Sequence, residues 1–265
     1  MKRENKMTII SMFLVASFFV AGFIGLMAYS GHDPPFSVIV SQSMQKDQKK
    51  SQIGSLDTGD MVLVRNKNRV EIRTYLEGYF TGFKTFGDYG SVIIYNTSGN
   101  EKIIHRVLMK IEIDLDEEKK FARIPDLKNY PSVYLNEGDD KEKIMMDFHI
   151  EKENSDKKIL IPIEKILKEM KIGTEGYITM GDGSDVVDQN NQHNNKLVEY
   201  RNVDSVPVFE IPWLGSVKMI INGNGESVKK FAPNSILNLG VFTFTLIVSI
   251  FSSFALSTLH YVKRK

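Results

Sequence analysis

Two long uncharged stretches constrain this chain more than any other feature. From Thr8 to Tyr29 it reads TIISMFLVASFFVAGFIGLMAY, enough for a helix to cross a hydrocarbon core of roughly 30 Å. A second run, ILNLGVFTFTLIVSIFSSFALSTLHYV, covers Ile236 to Val262. A cleavable leader has an apolar region of only about 7–15 residues, so the first run reads as a permanent anchor. The second is apolar on every face, which suits lipid better than one side of a soluble core. MKRENK precedes the first run and VKRK ends the second. Basic flanks stay in the cytoplasm. The expected order is a cytoplasmic tail over 1–7, a span over 8–29, an outward-facing region over 30–235, a span over 236–262 and a cytoplasmic tail over 263–265. This makes an integral protein of the cell membrane, with the lipid bilayer as its first partner. Lys229 and Lys230 lie on the outer side and run slightly against the rule.

Charge and cysteine content narrow the chemistry. The 265 residues hold 34 Lys and Arg against 33 Asp and Glu, and setting the two basic flanks aside leaves a mildly acidic remainder. Nucleic acid is therefore not an expected partner. There is no cysteine, which excludes disulfides and thiolate catalysis.

The outward-facing region reads as mainly β. Short β-rich runs occur at Ser37 to Val40, Met61 to Val64, Ser91 to Tyr95, Lys102 to Ile113, Lys158 to Ile161, Tyr177 to Met180 and Val206 to Ile211, separated by Gly, Asn and Asp turn signals. One helix is expected in PIEKILKEMK, started by Pro162, with Ile163, Ile166, Leu167 and Met170 on its apolar face. Charge-rich pieces between Asp114 and Ser155 read as solvated loops, and so does DQNNQHNNK from Asp188 to Lys196.

Three places could carry chemistry. Ser43 ends the run FSVIVSQSM, and by itself is an ordinary polar residue where a strand meets a loop. His105 stands in KIIHRVLMKIEI, where alternation puts Ile103, His105, Val107 and Met109 on one inward face. A histidine there is either a core residue satisfied by the backbone or a base, and a base needs a hydroxyl nucleophile beside it. In ITMGDGSDVVDQ a strand enters a Gly-Asp turn followed by Asp182, Asp185 and Asp188. Carboxylates so spaced can bind calcium, but the closing glutamate of a helix-loop-helix site is missing. The other use is to orient a histidine and stabilise its charged form. The sequence leaves open which of the three does so. Asn96 opens an Asn-Thr-Ser acceptor pattern for glycosylation.

Taken in order, SQSM, GDMVLV, IIHRV, TMGDGSDVVD and IPWLGSV resemble the motifs of type I signal peptidases. The histidine makes the chain similar to the archaeal and endoplasmic-reticulum branch; in the bacterial branch a lysine stands at the place of His105. The resemblance covers roughly Ser37 to Val64, Ile103 to Leu108, Tyr177 to Asp188 and Val206 to Val217, plus the anchor. It implies a membrane-bound serine endopeptidase that removes signal peptides from exported preproteins, without a cofactor or metal. Its partners would be preprotein signal peptides and the protein-export translocon. Ser43 matches the nucleophile, His105 the general base and Asp188 the acid of the triad. Asp182 matches a second acid that the family needs, with a structural use open. Ser41 matches a serine whose hydroxyl joins the Ser43 backbone N–H in holding the oxyanion. The stretch Ile39, Val40, Ser41 and Gln42 would be the strand edge on which an extended substrate adds.

The implied fold is a signal-peptidase-like β-sheet catalytic domain over 30–113 and 173–235. An inserted α/β subdomain would occupy 114–172, and N- and C-terminal transmembrane helices would flank the whole. The sequence departs from the family pattern at Gln42, where glycine is usual, and at QKDQ after Met44, where a Glu-Pro pair is usual. The stretch between His105 and Asp182 is also long for the family. A catalytically silent relative acting as a binding or assembly subunit is the alternative, and a two-span β protein with chance motifs is the third reading.

Overall fold

A computed structural model describes residues 3–263 except 48, 100, 136–139, 154 and 191–195, and leaves the side chains of 3–8, 250 and 253–263 undescribed. The chain is mainly antiparallel β-sheet with an apolar N-terminal helix. Its elements are α1 (Arg3–Ser30), β1 (Phe36–Val38), β2 (Met61–Asn66), α2 (Tyr75–Thr81), β3 (Lys84–Thr85), β4 (Asp88–Tyr89), β5 (Val92–Asn96), β6 (Lys102–Asp116), β7 (Lys119–Arg123), β8 (Val133–Tyr134) and β9 (Phe148–Glu151). There follow β10 (Lys158–Ile161), α3 (Ile163–Glu169), β11 (Glu175–Met180), β12 (Val203–Ile211), α4 (Leu214–Ile221), α5 (Gly225–Phe231) and α6 (Pro233–Lys263).

Within α1, the 22 residues Ile9–Ser30 form a helix long and apolar enough to cross a membrane, exposed along most of its length and held by the rest of the chain only at its last turn. Phe13, Phe18 and Phe19 are each about 70% exposed (71%, 74% and 69%). Water would penalise such a surface, and lipid would not. The second apolar run lies in α6, which meets α5 at a bend of 101°.

The chain divides into two compact units, one of residues 1–37 and 62–209, the other of residues 38–61 and 210–265. The first holds most of a seven-stranded sheet, ordered β1-β2-β12-β5-β6-β11 with β7 also on β6. The long β6 is its spine: Lys102 to Arg106 pairs with β5, Glu112 to Asp116 with β7, and β11 runs antiparallel along it. A second sheet, β10-β9-β8, belongs to the same unit.

The alternation expected along β6 holds only in part. Ile178 lies opposite Met109 but Thr179 lies opposite Val107, so β6 has one extra residue, Leu108, against β11. Such a bulge reverses which side later residues face. Val107 packs with Ile93, Tyr95, Val203 and Val206, with Ile103 against them. Met109, Ile111 and Ile113 join a different cluster with Ile178 and Met180, so Met109 does not share the face of Val107.

The stretch from 114 to 172, expected as an inserted subdomain, packs its apolar residues into the same core as the main sheet. Ile124, Leu127, Phe148, Ile150 and Ile161 share one core with Leu108, Ile111 and Ile178. Ile163, Ile166, Leu167 and Met170 are buried as α3 was expected to bury them. The charge-rich pieces between 114 and 155 are in part strands, and Ala122 of β7 and the alternate residues Phe148 and Ile150 of β9 join that core.

The second unit is organised around two motifs that interlock. Ile39 exchanges hydrogen bonds with the 59–60 turn, its N–H donating to the Asp60 carbonyl (2.9 Å) and its carbonyl accepting from the Gly59 N–H (2.9 Å). Gly59 has φ +94°, and a Cβ there would lie 2.2 Å from Ser216 Oγ. A Cβ on Gly215 would lie 2.5 Å from the Asp60 carbonyl oxygen. The glycines of GDM and WLG are thus required by close approach of one backbone to the other, and Asp60 Oδ1 closes the junction by accepting the Trp213 N–H (2.8 Å).

Candidate active site

β6 presents His105 opposite Ile93 of β5, with the side chain almost fully buried (11% exposed). After β11 the chain turns at Gly181, whose carbonyl accepts the Ser184 N–H (3.0 Å), buries Val187 in the core and forms a short 3-10 turn at Asp188–Asn190. Gln189 fixes that turn from both sides: its Oε1 accepts the Thr179 N–H (3.2 Å), and its carbonyl accepts Lys165 Nζ (3.0 Å). Asp188 Oδ2 is thereby brought to 2.7 Å from His105 Nδ1.

The same oxygen accepts Tyr95 Oη (2.7 Å) and Thr179 Oγ1 (2.5 Å). Three donors on one buried carboxylate oxygen hold it in place. With Nδ1–H donated to Asp188, the neutral imidazole carries its free lone pair on Nε2. Nε2 is buried and has no hydrogen-bond partner among the described residues. The pair therefore has its orienting acid in place and its basic nitrogen unused.

The other two aspartates go elsewhere. Asp182 receives a bidentate pair from Arg106, Nε to Oδ1 at 2.7 Å and Nη2 to Oδ2 at 2.6 Å. Arg106 is fully buried, and its Nη1 donates to the carbonyls of Asp88, Tyr89 and Gly90 (3.0–3.2 Å). Asp182 therefore ties the start of the acidic turn to the strand that carries His105, through the residue next to it. Asp185 is paired with Lys157 on the surface (2.6 Å). The lysines flanking His105 in sequence are likewise engaged. Lys102 pairs with Asp204 (3.1 Å) and Lys110 with Glu175 and Glu112 (2.9 and 3.3 Å). Glu175 raises the pKa of Lys110, which keeps the amine protonated and so unable to accept a proton.

Ser41 and Ser43 belong to the second unit, where their hydroxyls lie 3.2 Å apart. The regular strand β1 stops at Val38, so Ser43 stands in a turn rather than at a strand end. Of the expected substrate edge, Ile39 is buried while Val40, Ser41 and Gln42 are exposed. The turn is pinned just beyond the nucleophile candidate. Met44 is fully buried. Gln45 Nε2 donates to the carbonyls of Asp47 and Phe231 (2.6 Å each), and its Oε1 accepts the Thr58 N–H (3.4 Å). Further on, Ser51 is bracketed by Asn234, which accepts its N–H (2.9 Å) and donates to its carbonyl (2.8 Å).

Three residues of this arrangement were not singled out by sequence. Tyr95 lies two residues beyond Ile93, the register partner of His105, so period-two alternation on β5 was a usable signal for it. Thr179 and Gln189 gave none, because their roles depend on how the chain folds back after β11. No protein-family model matches the chain, and no curated protein matches it.

Proposed function

We propose that this protein is a membrane-anchored serine endopeptidase that removes signal peptides from exported preproteins. The observation that carries the reading is the buried His105–Asp188 pair, with Nδ1 donated to the carboxylate and Nε2 unpartnered among the described residues. A nucleophilic hydroxyl is the group such a nitrogen serves. In this reading Ser43 Oγ attacks the scissile carbonyl and gives its proton to His105 Nε2, while Asp188 stabilises the imidazolium. The Ser43 N–H and the Ser41 hydroxyl hold the oxyanion. His105 then protonates the leaving amine, and water, activated by the same nitrogen, hydrolyses the acyl-enzyme. The chemistry requires Ser43 Oγ within hydrogen-bond reach of Nε2 when substrate is bound.

The membrane helix supports the choice of substrate. A signal peptide keeps its apolar region in lipid and emerges extended at the surface, where Val40 to Gln42 would accept it as an added strand. We read α6, entered through the bend after α5, as the second span, with both termini cytoplasmic. The translocon that delivers the preprotein is the expected neighbour.

The test is processing of a preprotein by purified, reconstituted protein. Ser43→Ala and His105→Ala each abolish cleavage, Ser41→Ala slows it by about 100-fold or more, and Lys102→Ala cleaves normally. Full processing by the Ser43→Ala or His105→Ala protein would sink the mechanism, and inactivity of the unmodified protein would favour the silent-subunit alternative.

A further inference from the structure

We propose that the segment gripping the outer end of α1 binds the phosphates of anionic phospholipids through Arg65, Lys67 and Arg69. The proposal rests on the reading of α1 as a membrane span. A helix leaves its last four carbonyls without intrahelical partners, and lipid cannot supply them. Here the end of β2 and the turn after it grip the helix end, and Arg69 supplies one of those carbonyls with a partner. Arg69 Nη1 donates to the Ala28 carbonyl (2.5 Å), Asn66 Nδ2 to the Gly31 carbonyl (3.2 Å), and Ser30 Oγ bonds back to the Val64 carbonyl (2.6 Å). Gly31 has φ +60°, and a Cβ there would lie 2.4 Å from the guanidinium carbon of Arg69. The guanidinium therefore lies directly against the end of the helix, where its charge also meets the negative end of the helix dipole.

The other two cations are fixed at the same place. The Arg65 guanidinium stacks 4.6 Å from the ring centre of Tyr29, whose ring is half exposed on the last turn of α1. Lys67 Nζ donates to the carbonyls of Tyr200 and Arg201 (2.9 Å each) and lies 5.2 Å from the Tyr200 ring centre. Among the described residues none of these three has a carboxylate within ion-pair distance, whereas the nearby Arg73, Lys102 and Arg201 each do. Arg65 Nε is buried without a partner among those residues. Carbonyls and rings position the three charges without neutralising them.

A spanning α1 puts Tyr29 at the lipid-water boundary, where tyrosine rings collect, and so puts these cations among the head groups. Guanidinium forks match phosphate oxygens. An anionic lipid gains more there than a zwitterionic one, because choline carries its own compensating charge. In sequence the cations stand well beyond the roughly 15–20 residues after a span that govern orientation. Folding alone returns them to the membrane, so they do not oppose an outward-facing domain.

The lack of cysteine allows a direct test. A fluorophore attached through Asn68→Cys, an exposed position between the cations, is reconstituted with the full chain into phosphatidylcholine vesicles. These contain a small fraction of nitroxide-labelled phosphatidylglycerol or of phosphatidylcholine labelled at the same carbon. Quenching by the phosphatidylglycerol should be greater by about threefold or more and should fall with added salt. Arg65→Gln with Lys67→Gln, which leaves the Arg69 cap in place, should bring the two lipids close to equality. Arg65→Lys with Lys67→Arg should keep the difference. Equal quenching in the unsubstituted background, or a phosphatidylglycerol excess that survives the glutamine pair, overturns the proposal. Alkaline carbonate washing of the same vesicles separates the two levels. Release of the chain overturns the span and this proposal together, and retention with equal quenching overturns this proposal alone.

Discussion

Replacing Asp182 with asparagine should damage the fold far more than its place in a surface-looking acidic turn suggests. The side chains of Arg106 and Asp182 are 0% and 3% exposed, and the substitution leaves the guanidinium charge buried opposite a neutral amide. Removing one partner of a buried pair typically costs about 3–5 kcal/mol. Two features argue for the lower end. Arg106 Nη1 keeps its three carbonyls, and the asparagine oxygen still accepts one of the two bonds. For a folded region of this size each kcal/mol moves Tm by about 2–4 °C, so the expected drop is on the order of 6–12 °C. The assay is thermal unfolding of detergent-solubilised protein followed by far-ultraviolet circular dichroism. Asp185→Asn, which removes only an exposed partner of Lys157, serves as the control and should melt with the unsubstituted protein. An Asp182→Asn protein that melts within about 2 °C of the unsubstituted one would refute the reasoning that this carboxylate is a structural tie.

Two further outcomes follow from the same geometry. In the second unit, burial raises Asp60 to about 8, against the backbone N–H bonds from Trp213 and Asp57, which pull it down. Burial and the charge of Asp57 raise Glu210 to about 7. The folded unit therefore holds protons that the unfolded chain releases near pH 4, and its stability is greatest at the acid end and falls as pH rises from about 4 to 8, by on the order of a few kcal/mol. The single tryptophan, Trp213, donates its backbone N–H to Asp60 and its indole N–H to Ser51 and reports urea unfolding of this unit. Midpoints that rise between pH 5 and 8 would contradict the assignment, and Asp60→Asn should flatten the slope. Tyr95→Phe removes one of three donors to Asp188 Oδ2, costs about 1 kcal/mol of stability, and should lower the processing rate several-fold with little change in KM; an unchanged rate would remove Tyr95 from the positioning network.

Much of the frame was legible in the sequence, because hydrophobic pattern fixes it. The first apolar run, the strand at Lys158–Ile161 and the face of α3 all follow from spacing alone. What the sequence hid was set by tertiary contact. The helix α2 reads YLEGYFT, rich in residues that favour strands, and is started by Thr74 Oγ1 accepting the Glu77 N–H (3.0 Å). Ile39 and Val40 have strand-forming side chains, yet β1 ends before them because Ile39 pairs with the 59–60 turn. The bulge at Leu108 left no mark because Val107, Leu108 and Met109 are all apolar. At the candidate site, Asp182, Asp185 and Asp188 are evenly spaced in sequence. The choice among them was made by the turn that Gln189 fixes and by the arginine beside His105. The serines were legible as a motif, but their turn is held by Met44 and Gln45, in the stretch that departs most from the family pattern.

The claim that Ser43 is activated by His105 can be tested by chemistry that needs no natural substrate. The reconstituted protein is treated with a fluorophosphonate, which reacts with activated serine hydroxyls, and its peptides are weighed by mass spectrometry. The account predicts one adduct, on Ser43, lost in His105→Ala and much reduced in Asp188→Asn. An unmodified Ser43 in the active preparation, or an adduct that persists undiminished in His105→Ala, would contradict it.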